Sequence, residues 1–200
     1  MVGEPIKDGT GSGKSAKVNV DNRLLTDTVQ MSTAAQASRL GDSYNINTGD
    51  ITLTSAAESA VLYVKNNEDR DLIITTIIFL IGNSTNGSGD LIASVFANTT
   101  VGTVVDDASD VEMKHNKNFG SNQTLTADAY KGAQGKTLTD GTVAFRSRLN
   151  GASKQYSIGT GDIIIPKGGS IGVKITPQTG NTSVTLQVAM AVHLKNGNDE

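Results

Sequence analysis

From residue 40 onward the chain alternates short apolar runs with polar turns at near-regular intervals. SYNIN (43–47) and DITLT (50–54) flank a Thr48-Gly49 turn, and AVLYVK (60–65) is followed by the polar cluster NNEDRD. LIITTIIFLIG (72–82) then leads through NSTNGSGD to LIASVFAN (91–98). The pattern returns at TVAFRSRL (142–149), at DIIIP (162–166), at SIGVKIT (170–176) after a Lys167-Gly168-Gly169 turn, and at SVTLQVAMAVHL (183–194). Runs of this length between Gly, Asn, Asp and Ser clusters read as strands, and their spacing predicts an all-β sandwich or barrel.

Two of these runs carry the most information. In the last, Val184, Leu186, Val188, Met190, Val192 and Leu194 alternate with Thr185, Gln187, Ala189, Ala191 and His193, the period of a strand with one core face. In LIITTIIFLI the alternation fails. A strict period of two puts Leu72, Ile74, Ile78 and Leu80 on one face and Ile73, Ile77, Phe79 and Ile81 on the other. Leaving the second set in water would forgo about 1.5–3 kcal/mol per side chain, or about 6–12 kcal/mol together, comparable with the whole net stability of a domain, about 5–15 kcal/mol. Cover is expected from the segment 98–140, from a second sheet layer or from a neighbouring subunit. Ile73, Ile77, Phe79 and Ile81 are therefore subunit-interface candidates.

Between these runs the pattern is weaker. Residues 1–17 read as a flexible Gly- and Lys-bearing arm and 18–25 (VNVDNRLL) as the segment that brings the chain onto the body. The stretch 26–40 is ambiguous and reads as extended chain with at most one helical turn. Residues 98–140 are polar and poorly alternating, a long excursion or flap. The domain organisation expected is an arm over 1–17 and one β-sandwich domain over 18–200. With 200 residues, 22 glycines, 3 prolines and no cysteine, the chain suits a single packed domain that relies on neither disulfides nor thiolate metal sites.

The motifs that would carry chemistry are incomplete. GSGKS (11–15) resembles a phosphate-binding loop, but the glycine needed five places before Gly13 is Asp8, whose charge would repel phosphate. Two histidines, His115 and His193, fall short of the clustered set a metal-binding barrel needs. No Gly-x-Ser-x-Gly elbow is present. The carboxylates Glu68, Asp69, Asp71, Asp106, Asp107 and Asp110 lack the spacing of a calcium loop and read as solvated turn charge. Sugar binding is a rival reading, for which Tyr44, Tyr130, Tyr156 and Phe119 are the candidate aromatic faces. A net charge of -3 argues against nucleic acid as a partner. The longest apolar run is too short to span a bilayer, and the start MVGEPIKDG has no apolar signal region, so the chain reads as soluble and unexported unless a leader precedes it. No enzyme, cofactor or metal is expected.

The order NRLLTDTVQ, YNINTGDITLT, AVLYVKNNEDRDLIIT, NKNFGSNQTLTADAYKGAQGKTLTDG and DIIIPKGGSIGVKITP resembles tailed-bacteriophage virion proteins of the capsid decoration, or cement, class, from about residue 18 to the end. IIIPKGGSIGVKI also resembles the strand-turn-strand pairs of viral jelly rolls. The resemblance implies a jelly-roll β-sandwich, a homotrimer seated on the capsid exterior after synthesis in the host cytoplasm, with the major capsid protein and sister copies as partners. Under it, Lys7, Lys14, Lys17 and Arg23 are candidate capsid contacts. A tail or fibre protein that binds a host surface, or a carbohydrate-binding module, is the alternative.

Overall fold

The computed structural model describes residues 32–85, 90–101, 114–150, 154–178 and 183–195. The compact body begins at Thr33. It opens with a helix, α1 (Thr33–Leu40), followed by β1 (Ser43–Asn47), β2 (Ile51–Leu53), β3 (Ser59–Lys65), β4 (Leu72–Thr85), β5 (Leu91–Ala97) and β6 (Thr100–Val101). The remaining strands are β7 (His115–Asn116), β8 (Asp128–Lys131), β9 (Leu138–Thr139), β10 (Thr142–Leu149), β11 (Lys154–Ile165), β12 (Ser170–Pro177) and β13 (Ser183–Leu194). Every apolar run read as a strand is one.

Eleven strands form two antiparallel sheets, and β6 pairs with β9 in a small third one. The first has the order β11-β4-β13-β1-β7, with β2 also paired to β13, and the second β10-β5-β12-β3-β8. If the eight strands β1, β3, β4, β5, β10, β11, β12 and β13 are renumbered 1 to 8, the sheets read 6-3-8-1 and 5-4-7-2, the jelly-roll arrangement. The core lies between the sheets, with Tyr44, Ile46, Leu62, Val64, Phe79, Leu91, Val95, Val173, Ile175, Val188 and Met190 all buried in one cluster.

The broken alternation of β4 has a local cause. Ile77, Phe79 and Ile81 pair with Met190, Val188 and Leu186 respectively, whose side chains point into the core, whereas Ile74 pairs with Val192 and Leu72 with Leu194. The register shifts between Ala191, opposite Thr76, and Val192, opposite Ile74, so Thr75 is an extra residue, a β-bulge. Its hydroxyl donates to the carbonyl of Ala191 at 3.2 Å. The bulge reverses the phase of the strand, and Leu72, Ile74, Ile77, Phe79 and Ile81 all enter the same core.

This corrects the interface assignment. Ile77, Phe79 and Ile81 are 0%, 1% and 3% exposed inside the chain's own sandwich and are not available to a second subunit. Ile73 does point outward, but it is also largely buried.

The segment 26–40 was expected to be extended, yet Thr33–Leu40 is a helix of two turns. Its end is a Schellman motif, in which Gly41 N donates to Ser38 O (3.2 Å) and Asp42 N to Ala37 O (2.8 Å), with Gly41 at φ +81°. The excursion also differs from a flap where it is described. It supplies an edge strand to each sheet, β7 beside β1 and β8 beside β3, and buries Leu125, Ala127 and Ala129 in the core. Further along, β9 lies over the second sheet, where Leu138 packs on Ala60, Tyr63 and Tyr130. Gly172 makes room for it, since a Cβ there would sit 2.3 Å from Leu138 Cδ1.

Candidate interaction surface

The pairing register sorts the first sheet into a core face and an outward face. Outward, Ser157, Ile78, Ala189 and Asn47 stand side by side across β11, β4, β13 and β1. The next row holds Gly159, Thr76, Ala191 and Asn45, and beyond the bulge come Ile164, Ile73, His193 and Ser43. On the other side lies Gln155, Leu80 and Gln187. Among these residues there is no Asp, Glu, Lys or Arg. α1 lies against β1 and β13, and Ser43 and His193 at that end are buried. Ile73 beside them is buried as well, and the other residues of the face are half-buried or open, with Ile164 57% exposed.

The outward face of the second sheet has the opposite character. Arg146, Ser94 and Lys174 are neighbours across β10, β5 and β12, and Arg148 lies two residues from Arg146 on the β10 edge. The Lys174 ammonium sits 4.4 Å from the ring centre of Phe96 and 3.2 Å from Glu58. The outward face of the second sheet thus carries three cations, whereas that of the first is charge-poor, with the Asp50 carboxylate accepting from Gln187 Nε2 at 2.7 Å at its margin. Cores of protein interfaces are depleted of charge, because burying an unpaired ion is costly, so the first sheet's outer face is the surface best suited to a large contact.

The turn 66–71, between β3 and β4, holds its carboxylates for structural work. Glu68 accepts from the Thr126 amide at 2.6 Å, and Asp69 pairs with Lys167. That exposed pair draws the Asp69 carboxyl below its usual range and raises the Lys167 ammonium, through their shared hydrogen bond first and charge attraction second. Among the described residues no group of three or more His, Cys, Asp or Glu is placed to hold a metal ion. His115 and His193 stand on strands separated by β1. No helix among the described residues is long and apolar enough to cross a membrane.

Of the aromatic candidates, Tyr44 is buried and Tyr130 stacks on Tyr63 with centroids 5.8 Å apart. The Tyr156 hydroxyl is bound to the backbone of Asn150. Phe119 alone of the four is fully open, at 97% exposure. Lys7, Lys14, Lys17 and Arg23, with the glycine-lysine arm and Asp106, Asp107 and Asp110, lie outside the described residues. The charge-poor face escaped sequence reading because it needs the register of four strands. The run of Thr, Gln and Ala along β13 was its one visible trace.

No family model matches the chain, and no curated protein matches it. Among solved structures, the chain is similar to one in the structure of infectious bursal disease virus Gx strain, at 15% identity and a TM-score of 0.30, covering 98% of this chain and 39% of that one. A second similarity, to the Gt strain of the same virus, has 14% identity and a TM-score of 0.10, covering 98% of this chain and 46% of that one. The chain spans less than half the length of either, and likenesses at these scores do not bear on function.

Proposed function

We propose that this chain is a non-enzymatic structural protein of a virion, a decoration or cement protein that binds the outer surface of a phage head and stabilises it. The observation that carries the reading is the charge-poor outer face of the first sheet on a jelly roll, an architecture used by viral capsid and lectin domains. A face of Ile, Leu, Ala, Thr and amide side chains can be buried once its amides and hydroxyls find hydrogen-bond partners, without the larger cost of burying an unpaired ion. Sister copies are its occupant, in a homotrimer whose charged second-sheet faces remain in water. The major capsid protein is the second partner, and Lys7, Lys14, Lys17 and Arg23 are the candidate contacts for its acidic groups.

Two experiments examine this. Particles of the encoding virus, assembled without this chain and mixed with purified protein, should carry it through a sedimentation gradient and resist heat better than bare particles. Protein that stays at the top of the gradient would refute the shell-binding role, and turnover of a glycan or ester would refute the non-enzymatic one. The variant Ala189→Lys puts a charge in the middle of the outer face. It should weaken self-association by more than about tenfold, because a buried unpaired ion costs several kcal/mol, while its melting temperature as a monomer stays close to that of the parent.

A further inference from the structure

In strand order the first sheet ends on β11 and β7 and the second on β10 and β8. Two of these ends are short, β7 with two residues and β8 with four. Of the two long ones, β11 turns Gln155, Ser157, Gly159 and Ile164 outward, none of them charged, whereas β10 carries Arg146 and Arg148. No described strand lies beyond β10, so every second residue of it turns its N–H and C=O away from β5. The bulge at Ala144 leaves residues 145–149 as the straight part of this edge. Phe145 packs on the core and Leu149 is buried, so Arg146 and Arg148 both stand on the outward face.

These two charges are not matched within the described chain. Lys174, two strands away, is paired with Glu58 at 3.2 Å and its side chain is only 15% exposed. Arg148 donates to Gln178 Oε1 at 3.2 Å, a neutral acceptor, and among the described residues the Arg146 guanidinium has no partner. Alternate residues on a strand lie about 6.5–7 Å apart, so the pair matches carboxylates at alternate positions of a second extended chain, each about 4.5–5.5 Å across from its arginine. The same pair turns away a sister copy. Antiparallel pairing of two β10 edges about Ser147 sets Arg146 of one copy opposite Arg148 of the other, and like charges directly opposite are destabilising. Nucleic acid fits poorly, because two arginines neutralise few phosphates in a chain of net charge -3. An anionic membrane would leave the N–H and C=O groups of the edge unpaired.

We propose that the β10 edge docks an extended acidic segment of another protein, which joins the second sheet as an antiparallel strand with Asp or Glu opposite Arg146 and Arg148. The backbone ladder supplies affinity and the two arginines select the sequence. This docking goes beyond the shell-binding reading and does not depend on it. Its test titrates the full chain with a labelled peptide of alternating Glu and Thr, about ten residues long. Wild type should bind it, and the charge reversal Arg146→Glu/Arg148→Glu should raise the dissociation constant at least about tenfold with an unchanged melting temperature, both side chains being exposed. A Gln-Thr peptide, and a Glu-Thr peptide N-methylated at alternate amides, should lose affinity by a similar factor, the first for want of charge and the second for want of a ladder. Absence of binding by wild type, or wild-type affinity in the charge reversal, would overturn the docking. Equal affinity for the N-methylated peptide, for a single-stranded oligonucleotide or for phosphatidylserine vesicles would make the edge a general anion patch and overturn the added strand. An Arg146→Ala/Arg148→Ala variant that self-associates yet binds the peptide as wild type does would assign the arginines to edge protection alone, and would equally overturn it.

Discussion

Replacing Phe79 with alanine is expected to lower the unfolding free energy by about 3–5 kcal/mol, with the same difference from the parent at every protein concentration. Phe79 is 1% exposed and pairs across the sheet with Val188 at the centre of the sandwich. Removing its ring takes away the transfer term and leaves a void that the flanking strands, held by β13 on one side and β11 on the other, close only in part. For a domain of this size the loss corresponds to a fall of about 6–20 °C in melting temperature. Concentration independence is the informative half of the result. A Phe79 at a subunit interface would show its effect chiefly in dissociation, and the melting temperatures of variant and parent would converge on dilution.

The second large effect is expected at Arg70. Its guanidinium donates from both Nη atoms to the two oxygens of Asp42, at 2.8 and 2.7 Å, and this hydrogen-bonded pairing holds Arg70 above its already high range. The Asp42 side chain is 8% exposed and that of Arg70 39%. Asp42 is also a backbone junction, closing the α1 cap through its amide and accepting from Leu194 N through its carbonyl at 2.9 Å. Arg70→Ala therefore strands a buried carboxylate where helix, β1 and the end of β13 meet. Breaking a buried pair from one side costs about 3–5 kcal/mol, and the exposure of Arg70 reduces this to about 2–4 kcal/mol. Urea titration of Arg70→Ala beside Asp42→Asn/Arg70→Ala measures the stranded charge directly. The double variant should recover part of the loss, and equal stability of the two variants would show that the carboxylate is well solvated.

Much of the fold was written in local pattern. The long apolar runs became strands because each carries β-branched and aromatic residues between turn formers, and the Lys167-Gly168-Gly169 reversal is a turn closed by Gly169 N to Pro166 O at 2.9 Å with Gly168 at φ +78°. The helix was obscured by Thr33 and Ser38, although the Leu40-Gly41 step marks its end. β11 begins at Lys154, eight residues before the apolar DIIIP, because on this edge strand only Tyr156 and Ile158 reach the core ahead of the apolar run, too few to mark a strand by pattern.

The largest misreading came from Thr75. Polar residues inside an apolar strand conceal a bulge, and without it a period of two divides five core residues between two faces. The bulge is therefore what separates a ribbon that needs a partner from one that needs none. The requirement for burial in β4 is met within the sandwich, and any call for a neighbour moves to the opposite, charge-poor side of the same strand, where Ile78 and Leu80 stand beside Ala189 and Gln187.

Sedimentation equilibrium of wild type and Ala189→Lys over a hundredfold range of concentration tests this placement most directly. Wild type should converge on the mass of three chains as concentration rises, and the lysine variant should remain at the mass of one. A wild type that sediments as a single chain throughout, or a variant that assembles as readily as its parent, would show that the charge-poor face is not where copies meet.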